Sequence, residues 1–104
     1  MTERLPTAYE RFKDEFPDVW GAYDALGVAA HAAGPLDATQ RQLVKLALAV
    51  AARSEGATHA HTRKCLEADI APEAIRQVVL LVIPTIGYPA AMAALTWVDD
   101  ILRG

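Results

Sequence analysis

From Val78 to Val98 the chain reads VVLLVIPTIGYPAAMAALTWV and carries no charged side chain. A run of that length is long enough to cross a bilayer. Pro84, Gly87 and Pro89 interrupt it near its middle, its second half is mostly small residues, and Asp99 and Asp100 follow at once. Proline removes a helical hydrogen bond and clashes with the preceding turn, which disfavours one continuous span. The run is read as two buried helices joined by a proline-marked turn, with no membrane partner. The first of them, apolar all round at VVLLVI, must be covered on every side.

Helix punctuation divides the rest. A short helix is expected from about Thr7 to Asp14, and Pro17 can open a second that ends at Gly34-Pro35. Val19, Tyr23, Leu26 and Ala30 share one face of that second helix. Asp37 can cap the next, with Gln40 at the capping-box position. Leu43, Leu46, Ala47 and Val50 form its inward stripe, and Arg41 and Lys45 face out. Ser54 caps a fourth helix that ends near Asp69. Pro72 with Glu73 opens the fifth and Pro89 the sixth, whose inner face is Met92, Leu95, Val98, Ile101 and Leu102. Strict alternation never lasts, so the expected class is all-α, with about six helices.

Residues 1–104 make one domain. Hydrophobic residues are 53% of it, rich for a chain that buries only roughly 60–70% of its unfolded surface when folding alone. The surplus implies a partner surface, most simply another copy of the chain. A net charge of −3 argues against nucleic acid. A single cysteine excludes an internal disulfide and fits a reducing cytoplasm. The polar start MTERLPTAYE is not a signal peptide. Trp20 and Trp97 read as core or interface anchors, and His31 as a cation at a helix C-terminus.

The candidate chemistry lies in SEGATHAHTRKC, Ser54–Cys65. On a helix Glu55, His59, Thr62 and Leu66 share one side, while Ala57, His61, Cys65 and Ala68 share another. The two histidines therefore diverge and cannot chelate one metal. Glu55 and His59 have four-residue spacing, which suits an ion pair, or two ligands of a metal site whose other ligands lie elsewhere; no metal is expected. His61, among small residues on the expected inward face, is either a satisfied core histidine or a proton shuttle. Cys65 follows one turn later; among apolar neighbours such a thiol is usually inert. Arg63 and Lys64 are solvated cations or carboxylate holders.

Three stretches, LDATQRQLVKLALAVA, HTRKCLEADIAPEAIRQVVLL and TIGYPAAMAAL, resemble the carboxymuconolactone decarboxylase family, which includes the alkyl hydroperoxidase D (AhpD-like) proteins. The likeness spans about Pro35 to Leu102 and is most specific from His61 to Leu81. It implies an AhpD-like all-helical fold that is an obligate homo-oligomer, a homotrimer or homohexamer.

The redox branch carries a glutamate, a Cys-x-x-Cys pair and a histidine four residues after the second cysteine. Matched back from the histidine, His61 keeps its place, the cysteines fall on Ala57 and Ser54, and the glutamate falls on Gln42. Peroxide reduction by that route needs one thiol to attack and one to resolve, so no dithiol peroxidase activity is expected. The decarboxylase branch dispenses with the pair. It removes a carboxylate from a small unsaturated lactone without a cofactor. The resemblance then implies His61 or His59 as the proton donor, with Glu55 orienting His59 in the catalytic group, Arg63 or an arginine from a neighbouring subunit holding the acid, Gln42 as a further substrate-binding residue, and a small carboxylate or lactone as the partner molecule. The alternative is a helical assembly or binding module that kept the scaffold without the chemistry.

Overall fold

The structure, a computed structural model, describes residues 7–104. The start of the polar N-terminal stretch, residues 1–6, lies outside the described residues. The chain divides into two compact units at Pro35–Leu36.

The first unit holds helices α1 (Ala8–Glu15) and α2 (Pro17–Ala32). Thr7 and Glu10 form a capping box at the start of α1, the Thr7 hydroxyl accepting from the Glu10 amide at 3.2 Å and the Glu10 carboxylate from the Thr7 amide at 3.3 Å. Pro17 opens α2 as its sequence position implies. Trp20 is the anchor of the pair. Tyr9 meets its ring edge-on at 4.6 Å between centroids, and the Lys13 ammonium sits 5.8 Å above it. Neither helix buries a residue completely, and Val19, Tyr23 and Leu26, which share one face of α2, are exposed.

The second unit is a four-helix arrangement of α3 (Ala38–Ala51), α4 (Glu55–Glu67), α5 (Pro72–Val82) and α6 (Tyr88–Leu102). Asp37 and Gln40 form the expected capping box. The Ser54 hydroxyl accepts from the Ala57 amide, and Pro72 opens α5. The core gathers Leu46 and Val50 from α3, Cys65 from α4, Ile75 and Val79 from α5, and Val98 from α6, all at most 1% exposed. Each such aliphatic side chain contributes roughly 1.5–3 kcal/mol.

Several expected faces are rotated. The core side of α6 is Ala90, Ala91, Ala94 and Val98, while Met92 is exposed and Leu95, Ile101 and Leu102 are half-buried. Small residues let a helix axis approach its neighbours closely, so alanine rather than methionine takes the contact. On α4 the sealed residues are Thr58, Thr62 and Cys65, with Ala57 and His61 half-buried at the edge. The Thr62 hydroxyl donates to the Thr58 carbonyl at 2.7 Å, which lets a polar side chain lie fully inside. Arg41 and Lys45, expected on the outer face, are half-buried. Leu80 and Leu81 leave α5 uncovered on one side.

Asp69 closes the α4 turn in the left-handed region, at φ 60°, and Gly87 precedes α6 at φ 135°. Among the described residues no helix is long and apolar enough to cross a membrane.

Candidate functional site

Helices α3 and α4 run antiparallel. Near one end of the pair the Ser54 amide donates to the Ala49 carbonyl; at the other the Cys65 thiol approaches the Gln42 carbonyl at 3.7 Å. One turn along α3 from Gln42 is Lys45, and one turn back along α4 from Cys65 is His61. This register brings Lys45 level with His61. Lys64 stands three residues after His61 on the same helix, where side chains are neighbours.

The electrostatics follow from that placement. Burial pushes the His61 imidazole below its ordinary value, and the Lys64 and Lys45 ammonium groups push it further the same way. Lys45 is lowered too, by burial first, then by Lys64 and Arg41. Arg41 donates to the Leu36 carbonyl, which holds its guanidinium at the N-terminal end of α3. Lys64 and Lys45 thus act on the His61 ring, and Arg41 acts on Lys45.

Three buried polar atoms here have no hydrogen-bond partner: His61 Nδ1, Gln42 Oε1 and Thr58 Oγ1. A buried polar group left without a partner costs about 1–3 kcal/mol, so these atoms mark where a further polar partner would fit. Gln42 Oε1 can only accept, and Nδ1 of a charged His61 can only donate. The two atoms do not hydrogen-bond to each other in the structure.

His59 belongs to another surface. Its Nε2 lies 3.0 Å from Asp100 Oδ2 on α6, and Glu55, one turn before it, is exposed. Arg63 is exposed as well. Among the described residues no three or more His, Cys, Asp or Glu side chains converge to hold a metal. Cys65 is completely buried, and burial pushes its thiol up, away from the reactive thiolate. Of the residues read from the sequence, the structure therefore brings Gln42 and His61 onto one interface and leaves His59, Glu55 and Arg63 off it. Sequence reading passed over Lys45. The available signal was its position one turn from Gln42, on the helix that must pack against the His61 helix.

A separate open groove of about 540 Å³ runs between α3 and α5. Val44, Leu48, Val78, Leu81 and Ile86 line its walls, and Gln77 and Thr85 are its polar members.

The profile of the carboxymuconolactone decarboxylase family matches residues 15–100. The chain belongs to that family. Membership covers both the α3–α4 interface and the apolar groove, and it agrees with the all-helical architecture. An uncharacterized protein of Haemophilus influenzae is 35% identical over 63 residues, which are 61% of this chain and 56% of that protein. The chain thus matches about half the length of that relative. No solved structure matches the chain. In this carboxymuconolactone decarboxylase family member, Ser54 serves as the N-cap of α4 and Ala57 is half-buried in its first turn.

Proposed function

We propose that the chain is a cofactor-independent lyase acting on a small carboxylated or lactone substrate, with His61 moving the proton. The observation that carries this reading is the buried, unpartnered Nδ1 of His61 on the helix interface that also holds the orphaned Gln42 Oε1 and the Lys45 and Lys64 charges. The ammonium groups hold the substrate acid, a role for which Arg63 is less well placed. The bond to the carboxylate carbon breaks and its electron pair is taken up as an enolate by the adjoining carbonyl. Carbon dioxide leaves, protonated His61 delivers its proton to the carbon, and the ring recovers a proton from water.

Screening small lactone acids for carbon dioxide release tests the reading. Release that His61→Ala abolishes, with the helical signal unchanged, is the expected result; no release from any lactone acid, or release that survives the substitution, overturns it. With one buried thiol, no sustained turnover of hydroperoxide with a dithiol reductant is expected.

The α3–α5 groove favours a second reading, assembly with further copies of this chain, and the two are compatible. Val44, Leu48, Leu81 and Ile86 are 46–63% exposed on its walls. Together they offer a few hundred Å² of apolar surface, roughly half of the ~800 Å² that each partner contributes to a stable interface. A second copy supplies the same walls, the self-complementary arrangement of a closed oligomer. Light scattering on the purified chain is expected to give a multiple of 11.2 kDa, and Leu48→Glu with Leu81→Glu is expected to dissociate it. A monomer at micromolar concentration removes this second reading.

A further inference from the structure

We propose that the apolar face of α2 is what a second copy of the chain lays in the α3–α5 groove. The inference rests on the self-association reading and names the segment that fills the groove.

Val19, Tyr23 and Leu26 recur at i, i+4 and i+7 of α2, the anchor spacing of a helix that lies in an apolar groove. All three are more than half exposed, at 57%, 64% and 66%. With successive residues about 100° apart around the axis, Asp18 and Asp24, the two carboxylates of α2, fall on the far side of the helix. No charge therefore enters the groove with the anchors. Ala22 and Gly27 flank the stripe, and a Cβ added at Gly27 meets nothing within 4 Å. Glycine inside a helix costs roughly 0.5–1 kcal/mol relative to alanine. Among the described residues no contact accounts for that cost, whereas small flanks let a second helix axis come close. This helix also needs a cover. Most helical stability in proteins comes from packing one face, yet neither α1 nor α2 buries a residue completely.

The groove matches in chemistry and in size. Val44 and Leu48 of α3 and Val78 and Leu81 of α5 form aliphatic walls, and none of its described lining residues is charged. Val19 to Leu26 spans about 10 Å along α2, and Leu43 to Ala51 gives the α3 wall a length of about 12 Å. Of the two polar lining residues, Thr85 donates its hydroxyl to the Leu81 carbonyl at 2.9 Å, which leaves the Gln77 amide to meet the Tyr23 hydroxyl. The α2 stripe adds its large exposed side chains to those on the groove walls. Each copy's apolar contribution thereby rises toward the ~800 Å² of a stable interface. Every copy carries one groove and one α2 face, so each gives a helix and receives one, and a closed assembly leaves neither uncovered.

Sedimentation of the full chain tests the face. Leu26→Glu is expected to raise the dissociation constant at least about tenfold. Val28→Glu, 64% exposed on the opposite side of the same helix, is expected to leave it unchanged. An assembly that Leu26→Glu leaves intact, or that Val28→Glu weakens equally, overturns the inference while self-association itself stands. A monomeric wild-type chain removes both. The occupant is identified by mixing Leu26→Cys chains with Leu48→Cys chains and adding a short bismaleimide; Cys65, fully buried, does not compete. A link between the two variants is the expected product, and its absence overturns the inference. Leu48→Cys chains linked only to one another would mean groove wall against groove wall. A link closed inside a single Leu26→Cys/Leu48→Cys chain, with none between chains, would mean that the groove takes the helix of its own chain.

Discussion

His59 Nε2 meets Asp100 Oδ2 at 3.0 Å across the α4–α6 interface, while His61, two residues later, lies on the α3 side of the same helix. The two imidazoles of one short motif are thereby divided between a fastening and a candidate site. Asp99, next to Asp100, accepts from Arg76 of α5 at 2.9 Å and lies 3.6 Å from Arg103, so this end of α6 is tied to both neighbouring helices.

The His59–Asp100 contact opens to solvent on the Asp100 side, which is 59% exposed, while His59 is 24% exposed. A double-mutant cycle with His59→Ala and Asp100→Ala is expected to return a coupling of about 0.2–1 kcal/mol in urea unfolding, shrinking at high salt. A coupling above about 2 kcal/mol would mean that the pair is far better shielded than its exposure indicates.

His61 gives stability a definite pH dependence. Its folded-state value lies below the unfolded value of about 6.5, so the unfolded chain binds the extra proton more readily. The contribution is fully present above about pH 6.5 and is lost as pH falls through the lowered folded value. Urea midpoints measured from pH 7.5 downward are expected to fall less steeply in His61→Gln than in the wild-type chain, the difference opening below about pH 6.5. Parallel curves would remove the assigned direction of the shift.

Cys65 is expected to be chemically silent. Its side chain is fully buried, its thiol is pushed upward by that burial, and its sulfur approaches the Gln42 carbonyl. Iodoacetamide at pH 8 is expected to modify the native chain more than about tenfold more slowly than the urea-unfolded chain. Comparable rates would show that the α3–α4 interface opens readily.

The helix boundaries were legible in the sequence because caps are local chemistry. Asp37 with Gln40, Ser54 and Pro72 each act within one turn of their own position. The faces were less legible because they depend on how each helix is rotated against the others. Thr58 and Thr62 look like surface residues, yet Thr62 hides its hydroxyl on its own helix and both are buried. Arg41 and Lys45 look solvated, yet packing draws them half inside. Within the candidate site, His61 and Gln42 came from a family pattern. Lys45 belongs to it only through the α3–α4 register, and Asp100 is 41 residues from the His59 it holds. No periodicity contains that information.

Gly87 is the position where the proline-marked turn depends on one residue type. Its φ of 135° is a conformation that side-chain-bearing residues rarely adopt. A Cβ built there would meet only the Pro89 ring, at 3.9 Å, which is ordinary contact. The cost of Gly87→Ala is therefore one of backbone strain and not of crowding, and is expected to be about 1–3 kcal/mol. The Val82 carbonyl accepts from the amides of Ile86 and Gly87, so a turn forced to a negative φ also disturbs the end of α5. That end carries Leu81 and Val82, which line the apolar groove, so the strain reaches the surface assigned to self-association. Gly87→Ala is accordingly expected to lower the urea midpoint and to weaken oligomerisation together. Gly56→Ala, built in open space inside α4 and free of any positive φ, is expected to raise stability by up to about 1 kcal/mol. A Gly87→Ala chain as stable as the wild type would mean that the turn between α5 and α6 can be made another way.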